Sequence, residues 1–274
     1  MTDPVEDAPV DTAPVADDPA GAALARVTAE LANAEDRAGQ REMAELVADA
    51  IATKRHLVVQ AGTGTGKTLA YLVPSIEADA RIVVATATKA LQDQLASKDL
   101  PFLAEHLGVD FDWAILKGRS NYVCLQRLRE MSAGDQGQLE LESMAVQTKV
   151  EIKRLADWSG TTETGDVAEL DWSPSDTAWR AVSVGSDECP GADRCPLGEP
   201  CFAEQARRRA AASDVIVVNT HLYGLNVASG GAILPEHDVV VFDEAHVLED
   251  IMSDTVGVEI APGRFTAVAG IVRR

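Results

Sequence analysis

Residues 61–68 read Ala-Gly-Thr-Gly-Thr-Gly-Lys-Thr. Residue types in this order can cradle phosphate. Glycine backbones turn tightly enough to aim successive N–H groups at phosphate oxygens, and a helix starting at the lysine adds the positive end of its dipole. In that chemistry Lys67 reaches the β- and γ-phosphates and the Thr68 hydroxyl ligates Mg2+. Ala61, Gly62, Thr63, Gly64, Thr65 and Gly66 supply the cradle. The strict Walker A pattern opens on glycine, and here Ala61 stands in that place. The bland alternative is a Gly/Thr-rich turn that only looks like a phosphate loop. The apolar run before it and the helix-like stretch after it argue for the loop.

A phosphate loop needs a partner carboxylate. Val239-Val240-Val241-Phe242 would bring Asp243-Glu244 to the end of a buried strand, with Ala245-His246 following. Asp243 is suited to hold Mg2+ through water, and Glu244 to polarise an attacking water. A third set of reactive groups is Cys124, Cys189, Cys195 and Cys201. One distant cysteine followed by three clustered ones does not match zinc fingers built from pairs two to four residues apart. Four thiolates can also hold an iron–sulfur cluster. On spacing alone, zinc, a cluster and free thiols all stay open. Pro190 and Pro196 follow two of the cysteines and stiffen their turns.

The elements that must position these groups show in the hydrophobic rhythm. Short apolar runs at 57–60, 81–86, 113–116, 215–218 and 239–242 alternate with helical stretches. That pattern predicts a parallel α/β sheet. Ahead of it, helices are expected over 22–36, with Leu24, Val27 and Leu31 on one face, and over 40–52, with Met43, Leu46, Val47 and Ala50 inward. A further helix is expected over 89–97. The alternation breaks between Lys117 and Arg209, a stretch holding all four cysteines and helix-like pieces at 124–131 and 139–157. It reads as an insertion. The expected domains are an acidic disordered tail (1–20), the first part of an α/β domain (21–116), the insertion (117–209) and the remainder of that domain (210–274).

Composition sets bounds on partners. The chain has 274 residues and a formal net charge of −20. The first twenty residues hold six acids and no base, so the remainder still carries −14. A field of that sign excludes a protein that coats DNA through its overall charge; nucleic acid would have to enter a restricted groove. No run approaches the roughly 18 apolar residues of a membrane span, and no signal peptide is visible. A cytoplasmic location follows as the expectation, which favours ligand or free cysteines over disulfides.

The Asp-Glu-Ala-His run at 243–246 resembles the DEAH-box group of superfamily 2 helicases, in which the histidine couples nucleotide state to the nucleic-acid site; His246 takes that role by resemblance. Gln40, in Arg37-Ala-Gly-Gln40, matches a glutamine that reads adenine in such helicases through its two-faced amide. Thr86-Ala-Thr88-Lys89-Ala-Leu91-Gln92-Asp-Gln94-Leu95 resembles the motif that holds single-strand backbone, a simple helix cap being the alternative. The cysteines lie between that motif and the acidic pair. Cys124 sits in Lys117-Gly-Arg119-Ser-Asn121-Tyr122-Val-Cys124, and a later segment reads Asp214-Val-Ile-Val-Val-Asn219-Thr-His221-Leu222. Together these resemble the DinG/XPD-type iron–sulfur helicases.

That resemblance implies a RecA-like P-loop domain with a parallel sheet, interrupted by a mainly helical insertion carrying a 4Fe–4S cluster on Cys124, Cys189, Cys195 and Cys201. It implies ATP and Mg2+ as cofactors, 5′-to-3′ movement on single-stranded or forked DNA, and repair of structured DNA. Lys117, Arg119, Arg194, Arg207, Arg208 and Arg209 become candidate phosphate contacts, and Tyr122 a candidate base-stacking ring or a core residue. Such helicases use a second motor domain, which these 274 residues do not contain. The alternatives are therefore a catalytically weak nucleotide- and DNA-binding module, or the same motor with zinc in place of the cluster.

Overall fold

A computed structural model describes residues 19–31, 37–62, 64–133 and 144–256. The expected acidic tail falls almost wholly outside the described residues, as do Thr63 and the stretch 257–274. The chain divides into two compact units, one formed by residues up to 78 together with 105–108 and the other by 79–104 and the residues from 109 onward.

The first unit is helical. Helix α1 (Pro19–Ala29) packs against both α2 (Ala38–Thr53) and α3 (Lys67–Glu77), and α2 packs along α3. Every residue of α3 from Leu69 to Ile76 is buried, as its all-round apolar sequence requires. Leu24 and Val27 are buried as their spacing predicts, whereas Leu31 lies past the end of α1 and is exposed. On α2 the buried face is Gln40, Ala44 and Val47, one to two turns apart, and Leu46 points outward. The small Ala44 allows close helix approach and brings the polar Gln40 inside, a rotation that hydrophobicity alone does not signal.

The second unit holds a four-stranded, all-parallel sheet in the order β2-β3-β1-β4, with β1 at Ile82–Thr86, β2 at Trp113–Ile115, β3 at Val215–Asn219 and β4 at Val239–Phe242. The register sets Thr86 beside Asn219 and Ala85 beside Phe242. The carboxyl ends of β1, β3 and β4 therefore share one edge, where ligands bind in sheets of this kind. Of the five expected strands, four form. Residues 55–62 have no regular structure, and Val58 is 94% exposed. A strand exists only as a ladder with a partner, and this run takes none among the described residues. Strand β4 is half-buried along its length rather than buried, because among the described residues it is paired on one flank only.

Between β1 and β2, α4 (Lys89–Gln94) runs into a π-helical turn (Leu95–Asp99) and then α5 (Leu100–His106). Pro101 has no N–H to offer the carbonyl of Ser97, and its ring would crowd that group in an α-helix. The wide turn, closed by Leu100 N–H to Leu95 O, carries the chain past the proline without ending the helix.

The stretch 117–209 is mainly helical: α6 (Leu125–Ala133), α7 (Val146–Ser159), α8 (Asp176–Val182) and α9 (Phe202–Ala212). Residues 134–143 lie outside the described residues, so the expected helix over 139–157 is seen from Val146. These helices share one core with the sheet. Val83, Ala85, Ile216 and Val218, alternate residues on one face of β1 and β3, join Leu128, Leu155, Val182, Phe202 and Ala206 in a single buried cluster. Helix α10 (Thr220–Ala228) follows β3, and α11 (Leu248–Val256) follows β4.

Candidate functional site

In the first unit the candidate phosphate loop turns on two left-handed glycines. Gly64 has φ +78° and Gly66 φ +77°, conformations open to glycine and strained for other residues. Thr65 Oγ1 donates to Gly62 O at 3.0 Å, closing the turn. Gly66 is the N-cap of α3, so Lys67 and Thr68 occupy its first turn, beside the unpaired N–H groups of the helix start. The Lys67 ammonium lies 3.4 Å from Ala61 O and 3.5 Å from Gly62 O, folded over the loop that precedes it.

Helix α2 braces this loop from behind. Gln40, 7% exposed, donates from Nε2 to Gly66 O at 3.0 Å, and the Arg37 guanidinium donates to Gly64 O. The contact is close: a Cβ on Gly66 would stand 2.2 Å from Gln40 Nε2.

In the second unit β4 delivers Asp243 to the carboxyl edge of the sheet, where its N–H donates to Ala85 O at 3.0 Å. Glu244 adopts φ 59°, ψ 46°, a left-handed conformation that a non-glycine residue rarely takes. Its N–H donates to Asp243 Oδ1 at 3.0 Å, and its carbonyl accepts from Val247 N–H at 3.2 Å. His246 Nδ1 lies 3.3 Å from Glu244 Oε2, with the imidazole largely in solvent. The acidic pair is thus presented on a sharp turn between β4 and α11.

The cysteines also fall within the second unit. Cys124 directly precedes α6, and its sulfur accepts from the backbone N–H groups of Gln126 and Arg127. Burial pushes this thiol up, those two N–H donors draw it down, and Cys201 and Cys189 push it up again. Cys201 is the N-cap of α9. Cys195 closes a tight turn through its N–H to Gly191 O at 3.1 Å. All four thiols are half-buried and none is in a disulfide. Cys189 and Cys201 lie within electrostatic range of Cys124. Among the described residues, no three His, Cys, Asp or Glu side chains are gathered closely enough to hold a metal ion.

Residues 39–136 match the DEAD/DEAH box helicase family. The chain is 42% identical over 253 residues to the ATP-dependent helicase DinG of Mycobacterium tuberculosis (strain ATCC 25177 / H37Ra), covering 87% of this chain and 38% of that protein. It is 43% identical over 228 residues to the ATP-dependent DNA helicase YoaA of Escherichia coli (strain K12), covering 81% and 34%. It is 34% identical over 242 residues to the ATP-dependent DNA helicase DinG of Salmonella choleraesuis (strain SC-B67), covering 80% and 33%. The chain belongs to the DEAD/DEAH box helicases. It spans about a third of the length of the curated relatives it matches.

Other residues of the chain take places that their types did not announce. Thr88 caps α4, its hydroxyl oxygen accepting from Leu91 N–H at 3.3 Å. Gln92 is 1% exposed, its Nε2 without a hydrogen-bond partner among the described residues. Of the candidate phosphate contacts, Lys117 is paired with Asp166 at 2.5 Å with its side chain 7% exposed, and Arg119 is paired with Glu204 inside the fold. Both are internal cations rather than open ones. Arg207 donates to the carbonyls of Ala232 and Ile233, Arg208 to Glu199 O and Arg209 to Glu163 O; Arg194 is exposed. Tyr122 is a core residue, 4% exposed, accepting from Lys117 N–H at 3.2 Å, and burial pushes its phenol up to about 12. Sequence reasoning missed the brace from Arg37 to the phosphate loop, although the quoted run contains it. It also missed the contact of Tyr223 on α10 with Phe242, Tyr223 lying one residue beyond the quoted 214–222 run.

Proposed function

We propose that this chain is the nucleotide-binding part of an ATP-driven 5′-to-3′ DNA helicase. The observation that carries the reading is the phosphate loop: two left-handed glycines leading into a helix whose first residues are Lys67 and Thr68. Gly62, Gly64, Thr65 and Gly66, with Ala61 and Thr63, are proposed to wrap the phosphates. Lys67 neutralises the β- and γ-phosphates, and Thr68 and Asp243 hold Mg2+. Glu244 orients a water for in-line attack on the γ-phosphorus and takes its proton as the bond to the β-phosphate oxygen breaks, giving ADP and phosphate. Gln40 offers the amide for adenine, and His246 couples Glu244 to the strand-binding side. The names of the relatives, ATP-dependent helicases of which two are named DNA helicases, support DNA as the polymer; its proposed form is single-stranded or forked.

The same reading gives Cys124, Cys189, Cys195 and Cys201 a 4Fe–4S cluster, supported by four half-buried thiols outside any disulfide. When bound, the cluster supplies a rigid cross-link among loops. The chain's own part is to present sulfur at the starts of α6 and α9, from Cys124 and Cys201. A reducing cytoplasm suits such ligands. Among the described residues no helix is long and apolar enough to cross a membrane.

The test is ATP turnover with and without single-stranded DNA. Stimulated turnover that disappears in Lys67→Ala and Glu244→Gln supports the motor. Nucleotide binding with no turnover in any form of the chain supports the alternative, a binding module. Forked duplexes with a single 5′ or 3′ tail test the direction.

A further inference from the structure

We infer that helix α10 positions the acidic pair, with Tyr223 as its positioning residue; the inference rests on the nucleotide-hydrolysis reading above. Asp243 follows directly on β4, whose last residue is Phe242. Tyr223 meets Phe242 edge to face, ring centroids 5.0 Å apart and planes at 90°, the arrangement aromatic quadrupoles prefer. Its hydroxyl lies 3.5 Å from His237 Nε2, and His237 Nδ1 lies 2.9 Å from Pro235 O in the loop that feeds β4. One side chain thus meets the last residue of the strand that presents Asp243 and the loop that precedes that strand.

The neighbours of Tyr223 hold the other flank. A Cβ on Gly224 would stand 2.9 Å from Thr255 Cγ2 and 3.1 Å from Met252 Sδ, so α10 and α11 pack closely at this glycine. The Thr255 hydroxyl donates to Ile251 O at 2.6 Å and lies 2.9 Å from His221 Nδ1, which leaves the imidazole as donor in that pair. Residues 221, 223 and 224 therefore fix the strand before Asp243-Glu244 and the helix after it. Two features make such a restraint matter. Strand β4 is paired on one flank only among the described residues. Glu244 is held at positive φ, a state that persists where the surroundings over-determine it. Tyr223 reaches the chemistry only through Phe242, so it positions rather than catalyses. The ring carries the effect, since the hydroxyl contact is at the edge of hydrogen-bond range.

Hydrogen exchange followed by mass spectrometry on the whole chain decides this without nucleotide. In Tyr223→Ala, amides 243–247 are expected to exchange about tenfold faster, as local opening predicts, while peptides covering 82–86 and 215–219 keep wild-type rates. Tyr223→Phe is expected to match wild type, and Tyr223→Leu, which keeps apolar bulk, covers the case in which the alanine variant fails to fold. The ATPase readout should show a lower kcat with unchanged KM. Wild-type exchange at 243–247 in the alanine or leucine variant overturns the inference, as does uniform acceleration through the strands. A wild-type chain without ATPase activity would instead count against the functional reading, with the exchange result standing by itself.

Discussion

Gln40 and Gly66 are locked together: the side-chain amide donates to the carbonyl at 3.0 Å, and the space a methyl group would need on Gly66 is filled by that same amide. The glycine is thus required twice, by its φ of +77° and by its neighbour. At Gly64 the φ is +78°, yet nothing lies within 4 Å of an added Cβ. Gly64→Ala should therefore cost about 1–2 kcal/mol through backbone strain alone. Gly66→Ala should cost more, and Gln40→Ala in the same chain should remove only the excess. Denaturant unfolding of the four variants as a cycle checks this; equal costs at the two glycines would refute the steric half of the argument.

The ion pair between Lys117 and Asp166 is nearly closed to water, with side-chain exposures of 7% and 15%. Removing one partner leaves the other charged and buried. Lys117→Met should lower unfolding stability by about 3–5 kcal/mol. The double variant Lys117→Met with Asp166→Leu should recover most of this but not all, because Asp166 Oδ1 also caps Ala168 N–H at 3.0 Å. A double variant no better than the single one would show that the pair is not coupled as described.

Burial raises the Asp99 carboxyl above its ordinary range, while Gln94 and Lys98 pull it back only in part. A raised folded value means that the fold prefers the protonated acid. The stability this group contributes is present in acid and is lost as pH rises through its folded value. Asp99→Asn keeps an acceptor for Gln94 Nε2 and removes the buried charge. The variant should melt higher than wild type at neutral pH, with the gap closing on acidification. Thermal melts across that range test it, and a gap that widens in acid would reverse the sign.

Anaerobic purification offers a direct reading of the cysteines. The expected chain is brown, with about four irons and matching sulfide, as a four-thiolate cluster requires. Cys124→Ser should lose the colour and the iron together. One zinc and no colour would return the site to the zinc alternative.

Much of this was legible in the amino acids. The acidic pair sits immediately after β4, whose bounds fall where the run of Val239 to Phe242 put them. The tight turn at 64–66 was legible for the same reason: glycine at 64 and 66 is a backbone requirement written directly in the residue type. Less legible was whatever depends on a partner. The run at 57–60 has strand composition, yet Val58 lies exposed, because pairing belongs to two segments and composition to one. Lys117 and Arg119 read as open cations because their acids, Asp166 and Glu204, are 49 and 85 positions away. The brace of Tyr223 on Phe242 was invisible because an aromatic on a short helix usually means nothing more than packing.

The core shared by the sheet and the helices of 117–209 bears on modularity. An insertion with its own core could be lost or transplanted as a cassette, leaving its host intact. Here Val83, Ala85, Ile216 and Val218 share one buried cluster with residues such as Leu155, Val182 and Phe202. Splicing Leu116 to Ser213 would strip one face of β1 and β3 to solvent. The cysteine-bearing segment and the strands it interrupts must therefore change together, each constraining the substitutions open to the other.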